Sequence, residues 1–328
     1  MKVAINGFGR IGRMILRAGL DEKELDFVAI NDLTDIENLA YLLKYDSVYG
    51  KLDKEVRVEG DKIIIDKHKI KVYSEKEPSK LPWRDLSIDV VVESSGVFRT
   101  KEKASLHLEA GAKKVVLSAP AKGEDYVKTI VVGVNDGKIS KSDKILSNAS
   151  CTTNCLAPLV YVLNKKFGIK SGFMTTVHAY TTSQNIVDGP NKDLRRGRAG
   201  GLNIVPTSTG ATNAVGLVIP ELQGKLEGLA LRIPVVDGSL VDLSVKIKKK
   251  VSVREINDLF RKFANKELKG ILKYSEEKLV SSDIIGDKHA CIFDSEFTFV
   301  QDDLVRVIGW YDNEFGYCCQ LIKLLKLL

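Results

Sequence analysis

The first 150 residues alternate short apolar runs with segments of helical period. Residues 2–6 alternate toward a short strand, and the apolar positions Met14, Ile15 and Leu16 follow in a helical segment. Residues 27–30 form a second apolar strand and residues 36–43 a helix. Three short alternating runs fill residues 52–73, with turn residues at Glu59-Gly60-Asp61 and Asp66-Lys67, which predicts an antiparallel insertion. Then come a continuous apolar strand over 88–92, an amphipathic helix over 101–110, and strands over 114–117, 130–132 and 144–146. Strands alternating with helices predict an α/β domain with a doubly wound parallel sheet, ending near Ala149.

The pattern changes after that point. Residues 173–177, 226–233, 239–248 and 297–308 read as long strands of a mainly antiparallel sheet, and 252–264 as the main helix among them. Residues 180–202 carry no periodicity, and a connection of that length is usually functional. An apolar helix over 317–328 must dock on something. No internal repeat or low-complexity segment is present. A chain of 328 residues suits two domains rather than one core.

Composition narrows the class. With 44% hydrophobic and 28% charged residues, the chain reads as a soluble globular protein. No apolar run approaches the ~20 residues needed to span a bilayer, and the first strand starts at Lys2, which leaves no room for a signal peptide. Five cysteines without framework spacing predict reduced thiols and a cytoplasmic setting. They show no zinc-ligand spacing, so no metal is expected. The net charge of +7 comes from scattered lysines, without the basic stripe or interleaved aromatics of a nucleic-acid module. Neither a nucleic acid nor a membrane is an expected partner, and the surplus suits anionic metabolites.

Two segments carry chemistry. The first is Gly7-Phe8-Gly9-Arg10-Ile11-Gly12, a G-x-G-x-x-G that follows a strand and opens a helix. Gly7, Gly9 and Gly12 allow a tight turn, backbone approach to a pyrophosphate and close helix–strand packing. The second strand ends in Asp32, twenty positions after Gly12. A carboxylate there accepts hydrogen bonds from the adenosine ribose and repels the extra phosphate of NADP, so NAD is the expected cofactor.

The second segment is Ser150-Cys151-Thr152-Thr153-Asn154-Cys155, where a polar loop gives way to the apolar run 156–163. Cys151 in the first turn of a helix would meet free N–H groups and the positive end of the macrodipole, a setting that favours a thiolate. Cys155, one turn on, reads either as a redox partner or as a packing residue, with packing favoured. Of four histidines, His68 lies in a polar turn, while His107 and His289 read as surface residues. His178, at the end of a strand and opening the long loop, is the best partner for Cys151. As imidazolium it would hold the thiolate, and as imidazole it would accept a proton.

With these segments the chain resembles the phosphorylating glyceraldehyde-3-phosphate dehydrogenases along its whole length. The resemblance rests on Asn6 to Arg13, Ala149 to Cys155, Pro206-Thr207-Ser208-Thr209-Gly210-Ala211 and Trp310-Tyr311-Asp312-Asn313-Glu314. It implies an NAD-binding Rossmann domain over 1–149, an α+β catalytic domain over 150–314 with a mainly antiparallel sheet, and a helix over 315–328 returning to the first domain. A homotetramer is also implied. So is a covalent reaction in which Cys151 forms a hemithioacetal and then a thioester, with His178 as base and inorganic phosphate releasing 1,3-bisphosphoglycerate. By the same resemblance Arg10, Ile11, Asp32, Lys76 (through its backbone), Ser118 and Asn313 match cofactor contacts. Ser150, Thr152, Thr209 and Gly210 match one anion site, and Thr181 and Arg232 the other, with Arg196 beside them. Hydroxyls, a backbone N–H and guanidinium groups independently suit phosphate.

Some positions depart from that pattern. Ser183 stands where many relatives carry aspartate, Gly189 where several have leucine before the proline, and Phe315 where tryptophan or threonine is commoner. None is a reacting residue. The competing enzyme reading is an erythrose-4-phosphate dehydrogenase, in which water rather than phosphate resolves the thioester, and the intact Thr207-Ser208-Thr209-Gly210 segment argues against it. A nucleic-acid or surface-binding role is the reading from another class, and no residue pattern specifies it.

Overall fold

The computed structural model describes residues 1–328. The chain forms two compact units, one of Met1–Ile130, Gly137–Ala149 and Leu321–Leu328, the other of Val131–Asp136 and Ser150–Gln320.

In the first unit the elements are β1 (Lys2–Asn6), α1 (Arg10–Gly19), β2 (Asp26–Asn31), α2 (Ile36–Lys44), β3 (Val56–Glu59), β4 (Lys62–Ile65) and β5 (His68–Tyr73). They continue through β6 (Val90–Glu93), α3 (Lys101–Glu109), β7 (Lys114–Leu117), β8 (Lys128–Thr129) and β9 (Ile145–Ser147). Sheet order is β3-β4-β5-β2-β1-β6-β7-β9-β8. The β3–β5 meander is antiparallel, and every pairing from β5 to β8 is parallel. All four residues of β6 are buried, as befits a strand covered on both faces. From β1 the order runs one way to β2 and the other way to β6, and open α/β sheets bind ligands at such a reversal. The chain's last residues close this unit on themselves, with Lys326 Nζ paired to Glu22 at 2.8 Å and Glu24 at 3.0 Å.

Two expectations for this unit need correction. The strand expected over 130–132 lies earlier, at β8. Asn135 Oδ1 accepts the Val131 N–H at 2.8 Å and draws the chain into a turn. His107 is not a surface residue but fully buried, on the one face of α3 that meets the sheet.

The second unit holds α4 (Cys151–Phe167), β10 (Ile169–Ala179), β11 (Val205–Ser208), α5 (Ala211–Val218), β12 (Leu226–Ile233), β13 (Ser239–Ile247) and α6 (Val253–Asn265). After these come β14 (Leu272–Ser275), α7 (Ser281–Ile284), β15 (Cys291–Gln301) and β16 (Leu304–Tyr311), and α8 (Phe315–Leu325) begins here. The sheet order is β11-β12-β10-β13-β16-β15-β14. It is mainly antiparallel, with parallel pairs at β10–β12 and β14–β15. The strand expected over 297–308 is a hairpin instead, because Asp302 adopts a φ of 54° and turns β15 into β16. Alternation along β10 buries Met174, Thr176 and His178 against α4 and leaves Phe173 73% exposed on the opposite face.

Candidate active site

In the first unit a cavity of about 370 Å³ opens at the sheet reversal, lined by Gly7, Gly9, Asp32, Lys76 and neighbours from the ends of β1, β2 and β6. The glycines at its wall are dictated by contact. A Cβ on Gly7, whose φ is +90°, would stand 2.4 Å from the Ser95 nitrogen, and one on Gly12 would stand 2.2 Å from the Gly7 carbonyl oxygen. Gly9 caps α1 without a side chain, and a Cβ there would project into open space. Asp32 holds the turn itself: Oδ2 accepts the Phe8 N–H at 2.6 Å and Oδ1 the Thr34 N–H at 2.9 Å. Arg10 faces elsewhere, its guanidinium paired with Asp46 at 3.0 Å, and neither it nor Ile11, both in the first turn of α1, is among the residues lining the cavity. Ser118 lies at the carboxyl end of β7, outside the residues lining this cavity.

In the second unit Cys151 opens α4. Ser150 caps the helix, its Oγ accepting the Thr153 N–H at 3.1 Å. The preceding Ala149 has a φ of 57°, a left-handed turn that swings the chain from β9 into the helix. Cys151 Sγ stands 3.5 Å from His178 Nε2. On the far side of the ring, Nδ1 faces both the Ala179 carbonyl oxygen, at 2.7 Å, and the Arg232 guanidinium; protonated on Nδ1, the ring leaves its Nε2 lone pair toward the thiol. Arg232, directly opposite His178 in the β10–β12 register, donates to the same carbonyl at 3.1 Å, with Nη1 2.6 Å from Nδ1.

These surroundings favour neutral groups. Burial above all, and then the Arg232 charge, pull the His178 pKa down to about 3. Burial pushes the Cys151 thiol up, against the opposing pull of Arg232 and the Thr152 hydroxyl and N–H. Burial thus opposes the thiolate that Arg232 and the Thr152 hydroxyl and N–H favour, and it likewise opposes the imidazolium at His178.

The other residues of the second unit singled out in the sequence are largely engaged already. Thr152 Oγ1 is buried and bonded to Tyr311 OH at 2.9 Å, and Tyr311 reaches Thr176 Oγ1 at 2.8 Å. Thr181 Oγ1 meets Ser183 at 2.8 Å, and Arg196 Nε donates to Thr207 at 3.0 Å beside Asp193. Thr209 Oγ1 accepts the Ala211 N–H at 3.2 Å, and Gly210 caps α5 with no side-chain partner. Asn313 is buried, its Oδ1 taken by Ser239 at 2.5 Å. Arg232 Nε is buried with no hydrogen-bond partner. So are both amide atoms of Gln184, a residue that sequence reasoning missed because nothing in a polar loop distinguishes it. Cys155 packs inward, its Sγ 3.4 Å from the Gly309 carbonyl oxygen.

Comparison with known families matches residues 1–101 to the glyceraldehyde 3-phosphate dehydrogenase NAD binding domain and residues 150–313 to the glyceraldehyde 3-phosphate dehydrogenase C-terminal domain. The chain belongs to the glyceraldehyde-3-phosphate dehydrogenase family. It is 55% identical to the glyceraldehyde-3-phosphate dehydrogenase of Mycobacterium tuberculosis (strain ATCC 25618 / H37Rv), over all of this chain and 98% of the relative. Identity to glyceraldehyde-3-phosphate dehydrogenase 1 of Bacillus subtilis (strain 168) is 53%, over 99% of this chain and 97% of the relative. As a glyceraldehyde-3-phosphate dehydrogenase family member the protein is an NAD-dependent enzyme, with a Rossmann-type domain first and the family's catalytic domain second. The glycine cradle, in which a Cβ at position 7 or 12 has no room, fits a dinucleotide. No helix is long and apolar enough to cross a membrane.

Proposed function

We propose that this enzyme oxidises glyceraldehyde 3-phosphate and passes the acyl group to inorganic phosphate, with Cys151 as nucleophile and His178 as base. The supporting observation is the 3.5 Å thiol–imidazole contact at the start of α4, with Arg232 against the same ring. Neutral His178 relays the thiol proton to the carbonyl oxygen as Sγ adds to the aldehyde, giving a hemithioacetal. It then takes the hydroxyl proton as the carbon is oxidised to a thioester. NAD, when bound, supplies the hydride acceptor. A phosphate oxygen next attacks the thioester carbonyl, the thiolate leaves, and His178 returns its proton to sulfur. The unpartnered Nε of Arg232 and the Thr181 hydroxyl suit the phosphate carried by the aldehyde, with Arg196 next to them. Ser150, the Thr152 N–H, Thr209 and Gly210 suit the attacking anion.

Gly7, Gly9, Arg10, Ile11, Gly12, Asp32 and Lys76 are assigned to NAD in the first unit, Ser118 beside them, and Asn313 to the nicotinamide amide. A homotetramer is proposed because Phe173, Phe299 and Leu229 lie exposed on one sheet face, and Ile186, Val187, Leu194 and Leu202 on the long loop. Five free cysteines support a reducing, cytoplasmic setting.

Phosphate dependence tests the chemistry. Rapid mixing of enzyme, NAD and aldehyde without phosphate is expected to give a burst of at most one NADH per active Cys151, then slow hydrolysis. Adding phosphate or arsenate should restore steady turnover. Sustained turnover that ignores phosphate would make water the acyl acceptor and the enzyme one of the erythrose-4-phosphate type.

A further inference from the structure

Beneath the nucleotide cavity runs a chain of buried side-chain hydrogen bonds with no part in the chemistry described so far. Trp83 Nε1–H, in the core, donates to His107 Nδ1 at 3.1 Å. His107 Nε2 meets Glu93 Oε2 at 3.0 Å. Glu93 Oε2 also accepts from Asn6 Nδ2 at 2.6 Å, while Oε1 accepts the Ser95 N–H at 2.8 Å and the Ser95 hydroxyl at 2.5 Å. Asn6 Oδ1 in turn accepts from Asn31 Nδ2 at 2.7 Å. Asn31 completes the chain by pairing with the Glu75 backbone, its Nδ2 reaching the carbonyl at 2.9 Å and its Oδ1 the N–H at 2.8 Å.

The hydrogen-bond directions fix the charges. An indole N–H only donates, so His107 Nδ1 must be an acceptor and Nε2 must carry the proton. The ring is therefore neutral, and Glu93 can satisfy four donors only as a carboxylate. Trp83 and His107 are fully buried and Glu93 is 2% exposed. A buried anion without a countercharge is costly, and here it is compensated by four convergent dipoles.

Its location gives it a purpose. Asn6, Asn31 and Glu93 are the last residues of β1, β2 and β6, and Glu75 lies just past the end of β5. In the sheet these four strands are consecutive neighbours. One carboxylate and two amides thus clip together four adjacent strand ends, and Asn6, Asn31, Glu75 and Ser95 are themselves cavity wall. His107 and Glu93 are not.

We propose that Glu93, held by His107 and Trp83, is a positioning residue for the dinucleotide: it fixes the cavity wall before the cofactor arrives, so that binding does not have to order it. The inference rests on the assignment of this cavity to NAD.

The test is NAD affinity of the intact apoenzyme, by direct titration, in His107→Ala, His107→Gln, Trp83→Phe and Asp32→Ala. His107→Ala removes a donor from Glu93 without touching the cavity, and should weaken NAD about tenfold, the scale of one lost bond to a charged group. The Michaelis constant for the aldehyde and the alkylation rate of Cys151 in the apoenzyme should stay at parental values. His107→Gln should recover most of the affinity, since one amide can accept from the indole and donate to the carboxylate. Trp83→Phe keeps the ring and loses one bond, so about a threefold loss is expected. It also covers the case in which His107→Ala does not fold. If Asp32→Ala weakens NAD while Trp83→Phe and every folded His107 variant bind it as the parent does, the positioning role is wrong. A glutamine no better than alanine at position 107 overturns it as well. If Asp32→Ala leaves NAD affinity untouched, the assignment of the cavity has failed instead.

Discussion

At Cys151 two effects of opposite sign meet. The helix terminus and Arg232 favour the thiolate, while burial pushes the thiol up and pulls the His178 imidazole down to about 3. Cys151→Ser is expected to abolish dehydrogenase turnover while NAD titration stays normal, because a hydroxyl is far less acidic and less nucleophilic than a thiol. Cys155→Ser should keep activity, since Cys155 is buried against the Gly309 and Trp310 carbonyls. Equal loss in the two variants would misplace the nucleophile. His178 also makes a stability prediction with a definite sign. Its folded-state pKa lies below the ordinary 6.5, so the unfolded chain binds the proton more readily, and stability falls as pH drops from about 6.5 toward 3. At 1.36 kcal/mol per unit this one group accounts for a loss on the order of 4 kcal/mol. Urea denaturation between pH 7 and pH 4 should show a shallower acid decline in His178→Asn, whose activity falls at least ~100-fold.

The elements that carry the site were legible where local chemistry announced them. Ser150 before an apolar run marks the start of α4, and Ser150→Ala should cost about 1 kcal/mol of stability. It should also slow alkylation of Cys151, as the first turn loosens; an unchanged rate would mean that the cap does not set the thiol's position. The glycine turn at 7–12 was equally plain from its spacing, and Gly7 and Gly12 answer contacts that no side chain could tolerate. Elements defined by tertiary context were not legible. The segment from Phe297 to Ile308 reads as one strand if the polar run Gln301-Asp302-Asp303 is passed over, but the left-handed turn at Asp302 splits it there into β15 and β16. The eight-residue α5 begins at Gly210 without a capping side chain, so no boundary signal precedes it. In α3 only Ala104 and His107 are fully buried, between charged residues and half-buried leucines, which disguised His107 as a surface residue and hid the network beneath the cavity of the first unit.

For the molecule as a whole, the open face of the second sheet sets the expectation. Phe173 is 73% and Phe299 52% exposed, and the Arg306–Asp242 ion pair crosses the same face. Light scattering should report four copies of the 36.3 kDa chain, and Phe173→Lys should shift the enzyme to smaller species. A parental variant still tetrameric with lysine there would move the interface elsewhere. Within the second unit, two segments differ in how much change in chain length they can absorb. Arg232 meets His178 only because β12 runs parallel to β10 in one register, His178 opposite Arg232. Deleting a single residue within 226–231 would turn the Arg232 side chain to the other side of the sheet. The exposed turn at 248–252, by contrast, can gain residues at a cost that rises only with the logarithm of its length. The meeting of Arg232 with His178 is thus written into a count of residues along one strand as firmly as into the identity of either.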